Sequence, residues 1–173
     1  MSDKDPLQPE PWLRATLTDV PVVARAAIHA LQLANEDLER WAGRLVEDEL
    51  NQGPYGLPSV GFHLRHIAGS LDRLLTYAEG QQLSPDQILF LTRELDTTAR
   101  QHRALAELGN ALERSKARIL GLANADLNKK CEVGVKKLPT TVGSLLVHVA
   151  EHTQRHVGQA VTTAQILLAN RRP

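Results

Sequence analysis

Five of the seven histidines fall in two short segments, Phe62-His63-Leu64-Arg65-His66 and His148-Val149-Ala150-Glu151-His152-Thr153-Gln154-Arg155-His156. In the later segment they recur every fourth residue. On a helix each such step turns by only about 40°, so His148, His152 and His156 form one stripe, which Gln159 and Thr163 continue. Two imidazoles at i and i+4 lie close enough to chelate one ion. His63 and His66 also share a face, continued by Ser70, Leu74 and Tyr77, whereas Asp72 points away. If both faces turn inward, three nitrogens can converge on one cation and leave a position open for water or substrate. Burying several neutral imidazoles without partners would cost a few kcal/mol, and a bound metal removes that cost. Zinc, nickel, iron and manganese all accept imidazole, so the donor type alone does not choose among them. His29 and His102 stand alone and are read as ordinary surface or core residues.

These histidines need helices to hold them, and the sequence supplies helices almost exclusively. Leucine and alanine are abundant and aromatic residues make up only 3% of the chain, so the composition favours an all-α protein over a sheet. A polar, proline-containing N-terminal arm (residues 1–18), expected to be extended, carries Trp12 and Leu13. Thr18 or Asp19 is expected to cap a first helix over about 20–46, with Pro21 in its first turn. Asn51–Pro58 is dense in turn formers. Ser59 caps a second helix running to about Ala78, before Gly80. Ser84-Pro85-Asp86 opens a third, which Asp96-Thr97-Thr98 bends or interrupts before it continues from about Thr98 to Leu122. Residues 123–139 have no clear period and read as a long connection. Pro139-Thr140-Thr141 then starts a final helix reaching about Leu168. Four amphipathic helices of this length bury one another as a four-helix bundle over residues 19–170.

At 173 residues the chain suits one domain, and its twenty basic and twenty acidic side chains cancel. No global field recruits nucleic acid or an anionic membrane, and four lysines at 129, 130, 136 and 137 are a thin footprint for DNA. Nothing in the sequence reads as a signal peptide, a transit peptide or a bilayer span. A single cysteine, Cys131, excludes an internal disulfide framework, and the expected location is the cytoplasm. Lys129 and Lys130 lie beside Cys131, but a lone loop cysteine is usually incidental and it is left out of the site.

Phe62-His63-Leu64-Arg65-His66-Ile67-Ala68-Gly69-Ser70 resembles the second-helix signature of the DinB-like superfamily, a histidine followed by Ile-Ala. Glu151-His152-Thr153-Gln154-Arg155-His156-Val157-Gly158-Gln159 resembles its last-helix signature, in which a His-x-x-x-His pair leads into Gly-Gln. The order and separation of these motifs agree with the helix reading over most of the domain. The resemblance implies an up-down-down-up bundle with a divalent metal near its middle, held by His66, His152 and His156. His63 and His148 have no settled counterpart and stand as second-shell groups or alternative ligands. Helical rise gives weak support: His66 lies about 10 Å inside its helix, a level that an antiparallel last helix meets nearer 152 and 156 than 148.

The resemblance further implies a metal-dependent enzyme, a thiol S-transferase using a low-molecular-weight thiol or a small-molecule hydrolase, with zinc or nickel ahead of iron or manganese. Gln159, on the metal stripe, is a candidate pocket group, and Tyr77 a weaker one. Glu151 lies about 60° off the stripe and reads as a surface charge before a general base. Arg65 and Arg155 read as solvated helix faces. The alternative is a non-catalytic, metal-stabilised bundle serving as a dimerisation or interaction module. The Trp12-Leu13 arm is apolar enough to pack on a second copy of the chain or on its own bundle.

Overall fold

The computed structural model describes residues 8–95 and 100–171. Its helices are α1 (Val22–Ala42), α2 (Glu47–Leu50), α3 (Val60–Ala78), α4 (Pro85–Arg93), α5 (Gln101–Gly121) and α6 (Val142–Asn170). Two short strands, β1 (Lys130–Val133) and β2 (Leu138–Thr141), form an antiparallel hairpin in which Lys130 faces Thr141 and Val133 faces Leu138. The protein is therefore mostly helical.

The long helices α1, α3, α5 and α6 surround one core, with α1 and α3 each packing against both α5 and α6. Ile28 and Leu38 of α1 meet Leu64, Ile67, Leu71 and Leu75 of α3 in a single buried cluster that Leu146 of α6 joins. Each fully buried Leu or Ile contributes about 1.5–3 kcal/mol of apolar transfer, the main force holding the helices together. Side-chain bonds record the relative directions. Thr163 reaches the Pro58 carbonyl and His66 meets His152, so α3 and α6 run in opposite senses. Gln154 reaches the Ala30 carbonyl and Arg171 the Arg44 carbonyl, so α1 and α6 run the same way.

The starts of α3, α4 and α6 fall where the caps predict. The Ser59 hydroxyl accepts from the Phe62 amide at 3.1 Å, and Gly80, at φ +81°, takes the left-handed conformation just beyond α3. Ser84 and Gln87 exchange hydrogen bonds as a capping box with Pro85 in the first turn. Thr141 accepts from the Ser144 amide and launches α6 directly from the hairpin.

Three expectations need correction. The first helix does not run through 20–46: it starts after Pro21, ends at Ala42, and is followed by the separate turn of α2. Gly43 favours the stop, after which Leu45 turns into the core at 2% exposure and Val46 is extended. The connection over 123–139 is not irregular throughout, because β1 and half of β2 lie within it. Gly134, at φ +72°, turns the hairpin, and Cys131 is a buried strand residue, not a loop one. The arm is not wholly extended either: Pro11–Leu13 forms a 3-10 turn and Arg14 pairs with Glu36 of α1 at 2.6 Å. The bend expected at Asp96-Thr97-Thr98 lies outside the described residues.

Candidate metal centre

The facing stripes of α3 and α6 bring four histidines together. His66 Nε2 lies 3.0 Å from His152 Nε2, and His63 Nδ1 lies 3.1 Å from His156 Nδ1. The rings of His66 and His156 are 4.2 Å apart between centroids, and those of His152 and His156 are 4.6 Å apart. Among the described residues, His66, His152 and His156 each offer a ligand atom within 4.8 Å of the others, a spacing that one divalent ion can gather. All three are half-buried, whereas His63 is completely buried and its Nε2 has no hydrogen-bond partner. Phe62 stacks on His66 with centroids 5.3 Å apart and planes inclined by 16°, which fixes the ring face.

The electrostatics favour neutral rings. Burial, reinforced by the neighbouring imidazoles, pushes His63 and His152 down to about 4. Burial, then His66 and Arg155, does the same to His156, against a small opposing pull from Glu94. Neutral imidazoles at physiological pH carry the lone pairs that a cation needs. Each close nitrogen pair can share only one proton, so the cluster is rich in lone pairs and poor in donors. That donor set, with the orphaned His63 nitrogen behind it, fits a divalent transition metal.

The sequence reading misses Glu94, the residue just beyond α4. Its Oε2 lies 2.7 Å from His66 Nδ1, and Arg73 Nη1 donates to Oε1 at 2.7 Å. Burial works to raise this carboxyl, but the hydrogen bonds from His66 and Arg73 prevail and hold it below its ordinary value. Arg65, expected on a solvated face, is half-buried and its Nε donates to the Glu94 carbonyl. No spacing rule could have found Glu94, which is 28 residues from His66 and reaches it only because α4 folds back onto α3.

The remaining candidates are scattered. His148 is on the stripe and half-buried, but it bonds Glu151 at 2.8 Å, and its ring centroid lies 5.3 Å from that of His152. Arg155 is exposed beside Glu151. Gln159 is exposed, and Tyr77 is buried in the core about 16 Å along α3 from His66. His29 is buried against the Thr16 hydroxyl, and His102 is exposed. A cavity of about 580 Å³ lies where His148 and Glu151 face Leu74, Leu145 and the hairpin residue Thr140; of the histidines, His148 alone lines it. Another, of about 380 Å³, lies between α3, α4 and α5 and is lined by Arg65, Gly69 and Arg73 but by no histidine.

A helical bundle with a polyhistidine cluster between two of its long helices defines a class of potential metal proteins. The chain belongs to the DinB superfamily, whose sequence profile matches residues 30–160 and so spans both histidine segments. No curated protein matches it. Among the described residues no helix is long and apolar enough to cross a membrane.

Proposed function

We propose that the protein is a metal-dependent enzyme in which His66, His152 and His156 hold one divalent ion, zinc or nickel ahead of iron or manganese. The single observation that carries this reading is the convergence of those three nitrogens within 4.8 Å, while His63 and His148 fall outside that group. Three protein ligands leave a coordination position for a reactant, which favours chemistry over a closed structural site. A bound ion supplies Lewis acidity, acidifying a water or a thiol that shares its shell. The chain's own part is to keep His152 and His156 neutral, to fix the His66 ring between Phe62 and Glu94, and to offer a small substrate the neighbouring cavity rimmed by His148, Glu151 and Leu74. Transfer of a low-molecular-weight thiol to an electrophile is the reaction we place first, with hydrolysis of a small substrate second. The paired directions of α3, α6 and α1 support the up-down-down-up order of the bundle.

A metal-stabilised interaction module is the competing reading, favoured by the exposure of Trp12 and Leu13, at 63% and 55%, on the arm. Elemental analysis of untagged protein tests the site, and a thiol-transfer and hydrolysis panel run with and without metal tests the chemistry. Metal uptake with no metal-dependent turnover across that panel would favour the module.

A further inference from the structure

Resting on the histidine site proposed above, we infer that Glu94 is its positioning residue: the carboxylate accepts the Nδ1 proton of His66 and so presents Nε2 of that ring as the ligand atom. The two ring nitrogens cannot both serve. With Nδ1 2.7 Å from Glu94 Oε2, the other nitrogen faces Nε2 of His152 at 3.0 Å, on the side where His156 also lies. A carboxylate behind a ligating imidazole fixes its tautomer and raises its basicity.

The surroundings hold Glu94 in this one pose. It is only 4% exposed, and a carboxylate so buried is tolerable because it accepts from Arg73 as well as from His66. Arg65 grips its carbonyl at 3.3 Å, so both the backbone and the side chain of Glu94 are fixed by residues of α3. Gly69 makes room for the contact. A Cβ at this position would lie 2.6 Å from Glu94 Oε1, 2.7 Å from Arg73 Nη1 and 2.8 Å from Phe90 Cδ1. Glycine inside a helix is less favourable than alanine. Here that cost has a visible purpose: the missing methyl is the space through which the carboxylate reaches the ligand helix.

Two measurements on the full chain test this. In metal-free protein at neutral pH, nitrogen–proton correlation spectra of the imidazole rings should show His66 protonated on Nδ1, and Glu94→Ala should abolish that preference. A wild-type His66 protonated on Nε2 would overturn the assignment whether or not metal binds. In a zinc competition titration against a chromophoric chelator, Glu94→Ala should weaken binding roughly ten- to hundredfold. Glu94→Gln, which keeps an acceptor for His66, should lose less. Gly69→Ala, which favours the helix but displaces the carboxylate, should move towards the alanine value, and it guards against a Glu94→Ala chain that fails to fold. Equal zinc affinity in wild type, Glu94→Ala and Gly69→Ala would remove the role of Glu94 and leave the histidine site standing. A wild type that takes up no zinc would instead remove the site itself, and this inference with it.

Discussion

Helix α3 carries two polar clusters that differ in how their protons are matched. Towards its C-terminal end, Arg118 of α5 donates to both carboxylate oxygens of Glu79 at 2.7 and 2.8 Å and to Asp72 at 2.8 Å. Gln87 of α4 adds bonds to Asp72 and Thr76. Donors meet acceptors, charges offset one another, and the cluster straps three helices together. Nearer the start of α3, His63 and His66 meet His156 and His152 nitrogen to nitrogen, with more lone pairs than protons to fill them. One cluster is complete with the groups it has, and the other is a set of Lewis bases. The difference separates a structural brace from a ligand set more clearly than burial does, because each cluster mixes buried and half-buried side chains along the same helix.

The comparison breaks most decisively if the histidines are removed. His152→Ala combined with His156→Ala should take bound divalent metal from about one ion per chain to a trace, measured by elemental analysis of untagged protein. Unchanged stoichiometry would reduce the cluster to packing.

Acid should separate the two clusters next. His63, His152 and His156 titrate near 4 in the fold against about 6.5 when exposed. Between those values the unfolded chain binds protons that the folded chain refuses, so stability is level above pH 6.5, falls through the window and levels again below about 4. Melting of the metal-free protein should therefore drop by roughly 5–10 °C from pH 7 to pH 4.5. Bound zinc should steepen the loss, because protons then compete for the same nitrogens. A melting temperature indifferent to this range would mean that the rings are not buried neutral.

Arg118→Ala should cost about 1–2 kcal/mol in denaturant unfolding while leaving metal stoichiometry untouched. Loss of metal in this variant would show that the brace and the ligand set are not independent. The smallest effect is expected at His148→Ala. Bonded to Glu151 and outside the converging trio, His148 should change zinc affinity by less than about threefold. A loss of loading there would make it a fourth ligand and close the position left for a substrate.

How much of this was legible in the sequence follows from the range of the forces involved. Ser59, Ser84-Pro85 and Thr141 act within one turn, so the helix starts they set could be read directly. The i, i+4 rhythm of His148, His152 and His156 placed them on one stripe, but spacing alone could not say that His148 would bond Glu151 and fall outside the converging trio. The end of α1 escaped because the apolar rhythm runs past Gly43 even though the helix does not. The hairpin escaped because strands of four residues give too little alternation to register. Glu94 escaped for a different reason: its role comes from α4 folding back, a tertiary event with no local signature. Gln159 shows the converse, a residue with the right phase that ends exposed on the bundle surface.

His66 and His152 are 86 residues apart in the chain, and His63 and His156 are 93 apart. Bringing such distant segments together carries a large loop-closure entropy, and contacts of this kind form late. His152 and His156 can grip an ion as soon as α6 winds, but the third nitrogen arrives only when α3 docks. In the proposed site, tight metal capture would be a clock on assembly: a coloured ion such as cobalt would reach its final, three-histidine spectrum only at the step when the two halves of the bundle meet.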